Sequence, residues 1–207
     1  MIVIPVFNPN SELVKLIINL TKNYKIKASN IIVINDHSNK KKIENIFENI
    51  KKIGCKIINN DNNKGKGASI KLALIFAKQN NIKSITFADG DGQHTPKDIV
   101  SIYKIGNKNK KFIIGERNFN HAPILNKFSN YISNYLFNNI TNLKLNDTQC
   151  GLRYISEQHY DILLKITENK FDFELVSLFQ LFKNNYSIQT IKIQTVYFKY
   201  KYTSHFK

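Results

Sequence analysis

The densest run of chemistry-bearing residues is Asp89, Gly90, Asp91, Gly92, Gln93 and His94, directly after the apolar run Ser84 to Ala88. Two carboxylates one residue apart on a glycine-flanked turn supply hard oxygen ligands that a divalent cation can share with a diphosphate. An Asp-Gly turn ending a strand is the plain alternative, yet such a turn needs neither a second Asp-Gly step nor the amide and imidazole that follow. Mg²⁺ and Mn²⁺ both suit oxygen donors, and His94 would tilt the choice toward Mn²⁺.

Three further groups of residues could do chemistry. Asp36 follows an apolar strand and could accept hydrogen bonds from a nucleoside, or equally cap the next helix. Lys64, Gly65, Lys66 and Gly67 open a helix, where backbone N–H groups can approach an anion. The loop lacks the spacing of a Walker A motif, and a flexible turn with solvated lysines explains it as well. Arg117 and Arg153 are the only arginines among 31 basic residues. A chain that otherwise uses lysine keeps arginine where a planar, bidentate fork is needed, as in gripping a phosphate or carboxylate.

The elements that must position these groups read as alternating strands and helices. Strands are expected at Ile2 to Val6, Asn30 to Ile34, Lys56 to Ile58, Ser84 to Ala88 and Phe112 to Ile114. Between them run three apolar helix faces, Leu13/Leu16/Ile17/Leu20, Ile43/Ile46/Phe47/Ile50 and Ile70/Ala73/Leu74/Ala77. This is the pattern of an α/β fold with a mostly parallel sheet and helices on both faces, in which ligands bind beyond the carboxyl ends of the strands. The candidate residues all fall there, including Pro5, Phe7 and Asn8 after the first strand. Beyond residue 115 the pattern loosens. A long aromatic and aliphatic segment, Ile124 to Leu145, could be core, with Phe128, Ile132, Tyr135 and Leu136 on the sheet, or a surface against lipid. A helix is expected over Phe171 to Phe182, with short strands at Ile188 to Ile193 and Thr195 to Phe198.

With 207 residues, the chain suits a single domain, and no composition break marks a boundary. The net charge of +16 raises nucleic acid or an anionic membrane as partners, although scattered lysines also describe an ordinary solvated surface. Cys55 and Cys150 form no zinc or disulfide pattern, so reduced thiols are expected. The apolar start is broken by Pro5 and Asn8, leaving no signal peptide, and no run of about 18 apolar residues spans a bilayer. A cytoplasmic protein is the expectation, with peripheral attachment to the inner face of the membrane as an option.

Taken in order, these residues resemble the family 2 glycosyltransferases over nearly the whole chain. The resemblance rests on the Ile4 to Asn8 start, the Asn35-Asp36 pair, the Asn63 to Gly67 loop, the Asp89 to His94 motif, Gly115-Glu116-Arg117, and Asp147 to Arg153. The last of these, with Phe173-Glu174, is similar to the branch of dolichyl-phosphate and undecaprenyl-phosphate sugar transferases, and Ser204-His205-Phe206 resembles a C-terminal signature of some bacterial members. The resemblance implies a GT-A fold, a nucleotide-sugar half over 1–115 and an acceptor half over 116–207. It implies a nucleotide-sugar site of Pro5, Phe7, Asn8, Asp36, Lys66, Gly67, Asp89 and Gly90, and a metal, Mg²⁺ or Mn²⁺, on Asp89, Asp91 and Gln93.

The implied reaction is inverting transfer of a sugar from a nucleotide-diphosphate donor. For a hydroxyl acceptor, such as a glycan, Asp147 is the expected base with Glu174 second. For a lipid phosphate, Arg117 and Arg153 would position the anion, and Asp147 could instead hold one of the arginines. Two positions depart from the family pattern: Gly90 replaces a small apolar residue, and Glu116 replaces serine. The chain also ends without the transmembrane helices of some members, so a lipid acceptor would require peripheral contact. The alternatives are a nucleotidyltransferase, whose glycine-rich, arginine-containing first loop is missing from Pro5 to Ser11, and a basic nucleic-acid module. The Asp89/Asp91 pair argues against the second, and no specific nucleic acid is expected.

Overall fold

The computed structural model describes residues 1–119 and 124–196, with the side chains of Lys42 and of residues 124–129 outside the description. Strands β1 (Ile2–Val6) and β2 (Ile31–Asn35) are apolar and pair in parallel, Ile2 opposite Ile31. All of β2 and nearly all of β1 is buried, so β-branched residues serve both faces. β3 (Lys56–Asn59) adds outside β2, and β4 (Ser84–Phe87) adds in parallel on the other side of β1.

Beyond β4 lies β6 (Arg153–Ser156), antiparallel to both β4 and β5 (Phe112–Arg117), and β7 (Ile188–Ile193) closes the edge parallel to β5. The result is one seven-stranded sheet of order β3-β2-β1-β4-β6-β5-β7. Residues on both sides of position 115 therefore share a single sheet. β6 was not anticipated. It is a four-residue strand whose first residue is an arginine, a poor local strand signal that pairing with β4 and β5 overrides.

Local sequence explains most helix boundaries. Helix α1 (Ser11–Lys22) starts where the Asn10 side chain accepts from the Glu12 amide at 2.8 Å, and it buries Leu13, Leu16, Ile17 and Leu20. Helix α2 (Lys40–Ile53) is capped by Asn39 and stops at Gly54, whose φ of 98° is the left-handed turn glycine permits. Helix α3 (Lys66–Gln79) follows Gly65. Helix α4 (Pro96–Asn109), absent from the sequence expectations, carries Thr95 as N-cap, accepting from the Asp98 amide at 3.1 Å, with Pro96 in its first turn.

Helices α5 (Ile124–Thr141), α6 (Tyr160–Leu164) and α7 (Asp172–Lys183) complete the fold. α1 packs with α2 and α4, whereas α3, α6 and α7 pack together with α5 against α7. Thr195 makes only an isolated bridge, to His94, and Tyr197 and Phe198 lie outside the described residues, as does the Ser204-His205-Phe206 motif. Among the described residues no helix is long and apolar enough to cross a membrane.

Candidate active site

The parallel strands end together on one side, and the Val6, Asn35 and Phe87 termini bring their following loops into contact. The Asp36 amide donates to the Val6 carbonyl at 2.9 Å, and the Asn60 amide to Asn35 O at 2.9 Å. Asp89 emerges one residue after Ala88, whose amide donates to Val3 O at 3.1 Å. The turn is tight for packing reasons. A Cβ on Gly90 would lie 2.7 Å from Val6 Cγ1 and 3.2 Å from Ile4 Cγ2, so the departure from an apolar residue there is forced by this core. Gly92, at φ 85°, completes the turn, and Asp91 Oδ1 accepts the Gln93 amide at 2.9 Å.

The centre of the site is a part-buried ion triad. Lys66 Nζ lies 2.5 Å from Asp89 Oδ1 and 2.9 Å from Glu174 Oε1, with the lysine side chain 15% exposed. Burial alone would lower the Lys66 pKa, but the two carboxylates outweigh it and hold the ammonium charged; burial would likewise raise Asp89, and Lys66 reverses that. Gly151 walls the triad, since a Cβ there would stand 2.5 Å from both Asp89 Oδ2 and Lys66 Nζ. The sequence placed Gly151 only as part of the Asp147 to Arg153 motif; its role as a wall appears once Asp89 arrives from a distant strand.

His94, whose presence was expected to tilt the metal choice toward Mn²⁺, is turned into the protein. Nδ1 accepts the Asp89 amide at 3.1 Å, so the neutral ring carries its proton on Nε2, which faces Cys150 Sγ at 3.9 Å and Asp89 Oδ2 at 3.8 Å. The ring is 2% exposed, and burial lowers its pKa. Burial also pushes the Cys150 thiol up to about 12, so it stays protonated.

Several residues expected at the ligand also make contacts that hold the fold together. Asp36 is buried, its Oδ1 accepting from Asn60 Nδ2 at 2.7 Å and the Lys64 amide at 3.0 Å, its Oδ2 from the Gly65 amide at 2.8 Å. The helix start at Lys66 and Gly67 is no open anion cradle. The Ala68 amide donates to Asn169 O at 2.9 Å, and a Cβ on Gly67 would lie 2.6 Å from Phe173 Cβ. The glycines permit this docking of the 169–173 turn. Asn8, at φ 48°, accepts the Asn39 amide at 2.9 Å and clips the first loop to the second. Pro5 is half-buried in β1, and Phe7 is exposed at the mouth.

The acceptor-side residues divide sharply. Asp147 is 1% exposed and takes Arg117 as a fork, Nε to Oδ2 at 2.7 Å and Nη2 to Oδ1 at 3.0 Å, plus the Arg117 and Gln149 amides at 3.1 and 3.2 Å. Burial lowers the Arg117 pKa, and Asp147 more than restores it. Arg153 is buried and donates to Cys150 O, Thr148 O, Glu174 O and Ser177 Oγ at 2.6–3.0 Å. Its placement for an acceptor phosphate is therefore corrected: the scarce arginine grips backbone carbonyls. Glu116 accepts from Asn146 Nδ2 at 3.1 Å on the surface.

Helix α5 docks through Phe137, fully buried with its ring 4.8 Å from Phe179, and sets asparagines beside it. Asn130, Asn134 and Asn138, at four-residue spacing, turn inward and bond the 145–149 loop. Asn138 exchanges two 2.9 Å bonds with the Leu145 backbone, Asn134 accepts the Thr148 amide and hydroxyl at 2.9 Å, and Asn130 reaches Asn146 O at 3.3 Å. Tyr131, Ile132, Tyr135, Leu136 and Ile140 are instead exposed, between 41% and 67%. Ile132, Tyr135 and Leu136 thus do not pack on the sheet, and Phe128 is among the side chains outside the description.

A mixed sheet with its acidic turn beyond a central strand is the architecture of nucleotide-sugar transferases of the GT-A type. The fold aligns with crystal structures of glucosyl-3-phosphoglycerate synthase from Mycobacterium tuberculosis. The complex with Mn²⁺, UDP and glucosyl-3-phosphoglycerate matches at TM-score 0.73 and 11% identity, over 97% of this chain and 72% of that one. The complex with Mg²⁺ and UDP matches at 0.72 and 11%, over 97% and 71%.

Residues 1–163 match the Glycosyl transferase family 2 model, and the chain belongs to that family. An uncharacterized protein of Methanocaldococcus jannaschii is 31% identical over 170 residues, 75% of this chain and 71% of its own. UDP-N-acetylglucosamine–dolichyl-phosphate N-acetylglucosaminyltransferase of Methanococcus voltae is 26% identical over 223 residues, 96% and 86% of the two chains. The protein is a glycosyltransferase, and the nucleotidyltransferase and nucleic-acid alternatives fall away.

Proposed function

We propose that the chain carries out inverting, metal-dependent transfer of a sugar from a nucleoside-diphosphate donor to a lipid phosphate. The observation that carries the donor side is the Asp89-Gly90-Asp91 turn beside Lys66 under Gly151. It is a niche where one carboxylate already holds a cation and a second, exposed carboxylate stands one residue away. Among the described residues no three histidine, cysteine or acidic side chains converge as a complete ligand set. Asp89 and Asp91, with Gln93 beside them, fit Mg²⁺ or Mn²⁺ that completes its shell with phosphate oxygens. Such a cation would offset charge developing on the leaving nucleoside diphosphate. The remaining site residues do their work by position: Lys66 adds a fixed positive charge at the same point. Phe7 at the mouth, with Pro5, Asn8 and Asp36 behind it, frames the nucleoside pocket.

The acceptor assignment follows from what the carboxylates are doing. A hydroxyl acceptor needs a base, but Asp147 is sealed onto Arg117 and Glu174 onto Lys66. A phosphate is already an anion and needs none. Arg117, held rigid by Asp147 and 5.1 Å from the Phe119 ring, supplies the cationic side. The Methanococcus relative, whose name specifies dolichyl phosphate, supports the same class. Peripheral membrane contact through the exposed face of α5, aided by the +16 charge, would bring such an acceptor to the site.

The deciding experiment is thermal unfolding with UDP, GDP and dTDP and their sugar forms, each with and without Mn²⁺. One nucleotide raising the Tm only with metal, and an effect lost in Asp91→Ala, is the expected result. A folded protein that no nucleotide stabilises would overturn the donor-site reading.

A further inference from the structure

Lys66, the first residue of α3, is largely buried between two carboxylates. Its ammonium lies at contact distance from Asp89, at 2.5 Å, and from Glu174, at 2.9 Å. The backbone that carries it is fixed. The first turn of α3 is bolted to the Asn169–Phe173 turn by the Ala68-to-Asn169 bond and by Gly67 against Phe173, and Gly151 closes over the top. A divalent cation arriving alone at Asp89 would meet a fixed positive charge already on its first ligand. Only Asp91 is exposed to receive it, Glu174 being turned onto Lys66, and among the described residues no three acidic, histidine or cysteine side chains converge as a ligand set.

Resting on the donor-site reading above, we infer that Lys66 is the resident counter-cation of Asp89, and that the metal takes Asp89 from it only when a nucleoside diphosphate arrives at the same time. The diphosphate supplies the missing oxygen ligands and the negative charge to which Lys66 Nζ transfers, while Glu174 keeps hold of the ammonium throughout. Metal and nucleotide then bind as one unit. Glu174 acts as a positioning residue through Lys66, and its burial is explained without any proton-transfer role. The exchange involves ion pairing alone; no covalent bond forms or breaks.

The test is Mn²⁺ binding to the full chain, read by the electron paramagnetic resonance signal of free Mn²⁺, with and without the nucleoside diphosphate that stabilises the protein. Wild type is expected to bind Mn²⁺ at least about tenfold more tightly with the nucleotide present. Lys66→Met is expected to tighten Mn²⁺ binding to the nucleotide-free protein by about tenfold or more, narrowing that gap. Glu174→Gln leaves Asp89 as the one carboxylate on Lys66 and is expected to shift nucleotide-free affinity the other way. Opposite shifts from two variants of the same triad are not produced by general loosening. Where Lys66→Met does not unfold cooperatively, Glu174→Gln decides. Nucleotide-free affinities that equal wild type in a folded variant would overturn the exchange while leaving the donor site intact. Wild type that binds no Mn²⁺ even with nucleotide would overturn both.

Discussion

Asp147 and Arg153 show how residues of one motif admit two roles until their partners are known. Both stand in the Asp147 to Arg153 stretch, both are buried, and both spend their polar atoms internally. Asp147→Asn keeps the size but removes the charge from a buried fork on Arg117. It is expected to lower unfolding stability by about 3 kcal/mol in denaturant titrations, with a pH–rate profile unchanged in shape because no proton passes through it. Loss of the alkaline-rising limb instead would restore Asp147 as a base. Gly151→Ala places a methyl on Asp89 and Lys66 at 2.5 Å. Overpacking of this kind costs about 1–3 kcal/mol, and the variant is expected to lose metal-dependent nucleotide stabilisation while still unfolding cooperatively.

Helix α5 buries Phe137 but otherwise turns asparagines inward and large apolar side chains outward. The inward asparagines satisfy a loop that has no strand or helix to do so, and that loop carries Asp147 and so aims Arg117. Asn134→Ala would leave the Thr148 amide without its acceptor, at a cost of about 1–3 kcal/mol, and hydrogen exchange at Thr148 is expected to rise well above that of the β4 amides. The outward face predicts the opposite behaviour. Tyr135→Ser with Ile140→Ser should change stability by less than about 1 kcal/mol, since both side chains are exposed. The pair should nevertheless weaken flotation with vesicles of anionic lipid by about tenfold or more. Unchanged flotation would remove α5 from the membrane-contact reading.

For the molecule as a whole, the sheet is the frame and its far side has a built-in pH dependence. His159 is 1% exposed, its ring 5.9 Å from Phe112 and 4.9 Å from Tyr186, and burial lowers its pKa from 6.5 to about 4. The unfolded chain therefore takes up this proton first. Stability from the neutral ring is complete above about pH 6.5, is lost as pH falls toward about 4, and levels off below, a total of about 3 kcal/mol. Urea titrations at pH 7.5, 5.5 and 4 should show this slope, and His159→Gln should flatten it between 6.5 and 4. A slope unaltered in the variant would place the titration elsewhere.

Sequence alone determined the α/β alternation, the strands β1 to β5 within a residue or two except that β5 runs on to Arg117, strand β7, helix α7 within a residue, and the gathering of Pro5, Asp36, Lys66 and Asp89 at one end of the sheet. Those features follow from periods of two and 3.6 residues and from loops of turn-forming residues, all local. The Asp89 to His94 motif was legible for the same reason, since its residues are consecutive. Tertiary structure decided the rest. β6 exists because two strands flank it, α5 turns its asparagines inward because a loop needs them, and Glu174 meets Lys66 across 108 positions of chain. A charged or polar side chain announces a need for a partner, but the partner is chosen by packing between distant segments, and no local pattern records that choice.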